Sequence, residues 1–102
     1  MSNYSNNQPV AFPNELTAIM NGSVVSIGTL TYNPCKLIFD NQGLATVAIS
    51  VNDPTGGTIW RTFPPGEALV LDFDLETSPI GTTFYGNGAS GTFSISGVNI
   101  KP

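Results

Sequence analysis

The chain has 102 residues, of which seven are acidic, three are basic and none is histidine, for a net charge of −4. That length supports one domain around a single core. Without histidine there is no Ser-His-Asp triad and no Cys-His pair, and the commonest general base is missing; the lone cysteine, Cys35, allows neither an internal disulfide nor a tetrahedral zinc site of the usual kind.

Residues 1–8 are almost entirely Asn, Ser and Gln around Tyr4, too polar to offset the entropy of ordering, which predicts a flexible arm. The stretch lacks the basic and apolar regions of a signal peptide, and no later run reaches the ~18 apolar residues of a spanning helix, so assembly in the cytoplasm is expected. Pro9 and Pro13 bracket Val10 and Phe12 and favour extended backbone. Asn14 is suited to cap one helical turn reaching Met20, and an extended path fits the same residues. Either way Val10, Phe12, Leu16, Ile19 and Met20 are the apolar anchors of an otherwise loose tail, expected as interface residues by which the arm docks on a neighbouring subunit, or else packs on its own domain. The expected division is an arm over 1–20 and a β-domain over 21–102.

From Ser23 onward the pattern is strands. Val24, Val25 and Ile27 open a β-branched run that Leu30 to Tyr32 continue past Gly28. After Pro34, Lys36 to Asp40 put Leu37 and Phe39 on one face. Leu44 to Asn52 alternate, with Val47, Ile49 and Val51 on one side and Thr46, Ala48 and Ser50 on the other, the signature of a half-buried strand. Turn formers from Asn52 to Gly57 then lead by a hairpin into Thr58 to Phe63, where Trp60 shares a face with Thr58 and Thr62 while Arg61 joins Ile59 and Phe63. Pro65 and Gly66 fit the centre of a type II turn. Beyond it Leu69, Leu71, Phe73 and Leu75 face one way, and Val70, Asp72, Asp74 and Glu76 the other. Thr82 to Tyr85 form a short strand and Gly86 to Gly88 a turn. In the last strand Phe93 and Ile95 share a face but Val98 and Ile100 have the opposite parity, which predicts a β-bulge at Gly97. Seven to eight short strands with frequent turns predict an all-β antiparallel sandwich, immunoglobulin-like or jelly-roll-like, preceded by the extended arm.

Few residues offer chemistry. Asp72, Asp74 and Glu76, alternating on one strand, would set three carboxylates about 6.5–7 Å apart. They are weak candidates for a calcium site or a glycosidase pair, and such a row more commonly solvates a face and blocks edge pairing. The string from Gly86 to Gly91 spells G-x-G-x-x-G, but a strand and not a helix follows, so it reads as a hairpin connection. Cys35 reads as a small hydrophobe at a strand entry. Asn3 and Asn21 head N-x-S sequons that carry no weight without secretion. Trp60, Tyr32 and Tyr85 are candidate ligand or interface aromatics, either a platform for sugar rings or residues of the core and its rim. No catalytic residue, metal or cofactor is assigned.

Low charge bears on partners. Soluble surfaces usually carry charge at about a quarter of their positions. Here either Ser, Thr and Asn solvate the surface, or an assembly covers much of it. Lys36, Arg61 and Lys101 cannot neutralise a run of phosphates, so neither nucleic acid nor an anionic membrane is an expected partner.

Three segments carry a resemblance: DNQGLATVAISV at 40–51, WRTFPPGEALVLDFD at 60–74 and IGTTFYGNGASGTFSISGV at 80–98. With their Asn/Gly turn, proline-glycine-glutamate corner and closing hairpin, they resemble the small β-sandwich virion proteins of tailed phages. The resemblance spans about two thirds of the chain. It implies a non-enzymatic structural protein of the particle, a capsid decoration or cement protein, with a tail-fibre module binding carbohydrate or a receptor as the alternative. The implied partners are a major capsid or other virion protein and further copies of the chain, a trimer suiting decoration. The implied location is the virion.

Overall fold

The computed structural model describes residues 15–74 and 76–100. Val10 and Phe12 lie outside them. The described residues form eight strands: β1 (Leu16–Ile19), β2 (Val24–Thr29), β3 (Pro34–Asn41), β4 (Val47–Val51), β5 (Ile59–Phe63), β6 (Ala68–Asp72), β7 (Thr83–Gly88) and β8 (Thr92–Ile100). They make two antiparallel four-stranded sheets, a first ordered β1-β8-β3-β6 and a second ordered β2-β7-β4-β5. The chain doubles back at the β4–β5 hairpin, and partners lie symmetrically about it: β3 with β6, β2 with β7, β1 with β8. An eight-stranded sandwich wound in this way is a jelly roll. Of the two expected arrangements, the immunoglobulin-like one is set aside.

Period-two alternation builds the core. Leu37 and Phe39 of β3, Val47 and Ile49 of β4, Phe63 of β5, Phe84 of β7, and Phe93 and Ile95 of β8 all turn inward and are buried. Phe39 lies 5.9 Å from Phe63 and 5.5 Å from Phe84 between ring centroids, and Phe63 lies 5.1 Å from Phe93. These contacts join the two sheets, and aromatic pairs of this geometry add about 0.5–1.5 kcal/mol each beyond the area they bury. The predicted type II turn is present, with the Glu67 N–H donating to Pro64 O at 3.1 Å and Gly66 at φ 77°.

Four expectations are corrected. The sandwich already includes Leu16–Ile19, ahead of the expected boundary at residue 21, because β1 pairs with β8 through Leu16↔Ile95 to Ile19↔Thr92, an extended path without a helical turn. Met20, expected on a loose arm, is 2% exposed and belongs to the core. Gly86–Gly88 lie inside β7 and not in a turn. A Cβ at Gly86 would stand 3.0 Å from the Met20 sulfur and one at Gly88 2.9 Å from Val47 Cγ2, so these glycines make the space that Met20 and its neighbours fill. Lastly β8 runs without a bulge, its register to β3 constant from Asn41↔Phe93 to Pro34↔Ile100. Gly97 keeps the inward parity of Phe93 and Ile95, and the Tyr32 ring occupies the place a side chain there would take. The irregularities fall between Ser26 and Gly28 in β2 and between Ile49 and Ser50 opposite Trp60.

The β4–β5 hairpin is closed by Asp53. Its Oδ1 accepts from the Thr55 hydroxyl (2.7 Å) and the Thr55 N–H (3.0 Å), and its Oδ2 from the Thr58 N–H (2.8 Å). These bonds, the Thr55 hydroxyl foremost, hold the Asp53 carboxyl below its ordinary value. A depressed folded value means that the loop's contribution is complete above the ordinary carboxylate range, near about pH 4, and is lost as pH falls through the folded value. Thermal unfolding followed from neutral pH into acid is therefore expected to show a shallower acid loss in Asp53→Asn than in the wild type. Equal slopes would remove Asp53 from the acid response.

Candidate functional site

The sequence-nominated residues do not converge. Strand β6 ends at Asp72, where the predicted carboxylate row breaks up. Asp74 turns its Oδ1 to the Glu76 N–H (3.0 Å), the Thr77 N–H (2.9 Å) and the Thr77 hydroxyl (2.8 Å), curling the chain out of the strand. Asp72 instead meets Lys36 at 3.6 Å, a pair so exposed that it contributes about 0–1 kcal/mol. Among the described residues no three acidic or cysteine side chains come together to hold a metal.

The three aromatics occupy three environments. Tyr32 is 7% exposed, its hydroxyl buried against Gly97 without a hydrogen bond of proper geometry among the described residues. Burial, the larger effect, pushes its ionisation up, and the nearby Gly97 backbone pulls the other way. Tyr85 projects from the outer face of the second sheet. The irregularity in β5 turns Trp60 away from the Thr58 and Thr62 face expected for it and onto the core, 5.3 Å from Phe39 and 6.4 Å from Phe63. It seals the aromatic cluster while staying 42% exposed. Arg61, opposite Ile49, finds its partner in the Phe63 ring, 5.8 Å away. A shared sugar platform is therefore not formed. Of the arm anchors, Leu16 packs on the core, Met20 is inside it, and Ile19 remains 72% exposed.

What the fold does assemble is a division of charge between the sheets. Lys36, Asp40 and Asp72 lie on strands of the first sheet, with Glu15 just ahead of β1, whereas Arg61 is the one charged residue on the strands of the second. The outer face of that second sheet is uncharged throughout. One cross-strand row runs Ser26, Tyr85, Ser50, Ile59, and the next Val24, Asn87, Ala48, Thr62. Beyond them the Thr29 and Thr83 hydroxyls bond each other at 2.7 Å. The face ends at β5, an edge strand on which Ile59 is 55% exposed and only Phe63 is buried. Among the described residues no strand pairs with its open side, and no row of lysines or prolines within the strand blocks pairing there.

The signal for this face was present in the sequence as charge-free stretches at 16–35, 41–52 and 77–100. That β2, β4 and β7 lie side by side was not. Comparison with protein families, with characterised proteins and with solved structures finds no match.

Proposed function

We propose that the chain is a non-enzymatic structural subunit of a virus particle, a cement or decoration protein that lays the uncharged outer face of its second sheet on neighbouring capsid subunits. The observation that supports this reading is the segregation of charge. Burying an unpaired charge is costly, and the centres of protein interfaces are depleted of charge for that reason. A face of hydroxyl, amide and apolar side chains around Tyr85, bordered by a strand with no partner on its open side among the described residues, has little to lose on being covered. The jelly roll is an architecture that viral capsid domains use, and the resemblance of residues 40–98 points the same way.

Ala48 and Asn87 are cross-strand partners on this face. Ala48→Lys with Asn87→Lys, two like charges side by side, is expected to weaken co-sedimentation with capsids more than about tenfold while the far-ultraviolet circular dichroism is kept. Ser96→Lys, on the outer face of the first sheet, is expected to leave binding unchanged. Retention of binding by the double variant overturns the assignment of the face, and absence of the chain from purified particles overturns the virion reading.

A further inference from the structure

The dipeptide Asn-Gly occurs twice in the chain, at Asn21–Gly22 and at Asn87–Gly88. It is the pair best suited to attack by a main-chain nitrogen on the preceding side-chain amide, because glycine has no Cβ to shield its own nitrogen. The fold puts the two copies in opposite settings. Asn87 lies within β7 and is paired on both sides, with Val24 of β2 and with Ala48 of β4. The space around Gly88 is filled, since a Cβ there would stand 2.9 Å from Val47 Cγ2 and 3.0 Å from Thr46 O. Closing a cyclic imide requires the asparagine ψ to leave its extended value, and Asn87 cannot do so without giving up ladder bonds to its neighbours.

Asn21 lies in the turn from β1 to β2, where it, Gly22 and Ser23 are all exposed. Its Oδ1 accepts from the Ser23 N–H at 3.0 Å, an Asx turn whose hydrogen-bonded ring encloses the Gly22 nitrogen and folds the side-chain amide back over it. Gly22 is in the left-handed region at φ 89°, and nothing stands within 4 Å of the place its Cβ would take. The restraint on its nitrogen is the bond that the Gly22 N–H donates to Gly88 O at 2.7 Å. Releasing one bond at a turn is a local opening, far less costly than unpairing β7 from two strands.

We propose that Asn21 is a site of spontaneous deamidation and that the fold protects Asn87 from the same reaction. The Gly22 nitrogen, giving up its proton, forms a bond to Asn21 Cγ. The bond from Cγ to the side-chain nitrogen breaks, and that nitrogen leaves with the proton as ammonia. Water then opens the imide at one of its two carbonyls. Attack at Cγ breaks its bond to the Gly22 nitrogen and yields aspartate, whereas attack at the main-chain carbonyl yields isoaspartate, with Gly22 now joined through Cγ. The balance is water taken up and ammonia released, with no oxidant or reductant. Either product sets a carboxylate in the stretch 16–35, which otherwise carries no charge, and the isoaspartyl form adds a methylene to the main chain between the buried Met20 and β2. This chemistry is independent of the virion reading.

Incubation of the full, folded chain at mildly alkaline pH, followed by peptide mapping with mass spectrometry, tests this. Asn21 is expected to convert at least about tenfold faster than Asn87, as a mixture of aspartyl and isoaspartyl peptides. In a parallel sample unfolded in urea the two Asn-Gly steps are expected to convert within about threefold of each other, because only local sequence then acts. Asn21→Ser, which keeps a side-chain acceptor in the turn, is expected to abolish the acidic species that isoelectric focusing resolves from the incubated wild type. Asn87 converting as fast as Asn21 in the folded chain overturns the proposal, as does an Asn21 that stays intact in the folded chain while the unfolded one converts. An equally strong preference for Asn21 in urea gives the selectivity to the flanking residues and overturns the part assigned to the fold.

Discussion

Asn41→Ala is expected to lower stability by about 3 kcal/mol, read as the shift of the urea midpoint at constant slope. The side chain is fully buried, and its Nδ2 donates to Ala45 O (2.9 Å), Phe63 O (2.9 Å) and Pro64 O (3.1 Å), while its Oδ1 accepts from the Gly43 N–H (3.1 Å). Its own N–H donates to Glu67 O at 2.9 Å. One residue at the end of β3 thus holds the loop that follows and the corner by which the chain passes from the second sheet to the first. Truncation removes a donor from three carbonyls and the acceptor of one N–H; Pro64 O keeps the Glu67 N–H, whereas each buried polar group left unsatisfied costs about 1–3 kcal/mol before the loop relaxes. Asn41→Asp keeps the shape but sets a carboxylate oxygen against three carbonyl oxygens. Its folded state favours the protonated acid, so the folded pKa is raised and stability is lost as pH rises through it. The two variants are thereby distinguished: Asn41→Asp should be weaker at pH about 8 than at about 5 by more than Asn41→Ala is. A loss under about 1 kcal/mol in the alanine variant would show that water replaces the clasp without penalty.

Gly97→Ala is the second large effect, again about 3 kcal/mol, at the upper end of the cost of overfilling a packed interior. A methyl group there overlaps the hydroxyl and ring of Tyr32. Backbone conformation is not the obstacle, because Gly97 is not among the glycines of positive φ, and alanine is intrinsically better than glycine within a strand. The expected result is dependence on Tyr32. In a Tyr32→Leu background, adding Gly97→Ala should be nearly neutral, whereas a requirement for glycine in the backbone would make the two losses add. Additive losses would sink the steric account.

The two positions mark where the amino-acid pattern was legible and where it was not. Alternation at Val47, Ile49 and Val51 and at Leu37 and Phe39 located strands and their buried faces, because period two is written residue by residue. The Pro65-Gly66 turn was legible for the same reason, since a type II turn is decided by four consecutive residues. Gly97 was misread because glycine between two parities looks the same whether the chain bulges or a distant ring lies over it, and Tyr32 is 65 positions away. The carboxylate row failed at Asp74, where hydrogen bonds to Glu76 and Thr77 compete successfully with strand geometry. Trp60 changed faces because one irregularity in β5 exchanges inward and outward sides, and nothing within β5 announces it.

The sequence by itself determined the all-β class, the approximate places of most strands, the turn at Pro65-Gly66 and the poverty of charge and of catalytic side chains, all properties carried by single residues or short windows. Only the tertiary structure decided the jelly-roll order, the place of Leu16 and Met20 in the sandwich and the gathering of the uncharged strands β2, β7 and β4 side by side in one sheet. Those depend on which strands become neighbours, and pairing is selected by packing between residues far apart in the chain. Phe39 against Phe63 and Phe84, and Met20 over Gly86, are contacts of this kind. The scarcity of charge is thus a property of composition, and its concentration into one uncharged face is a property of the fold.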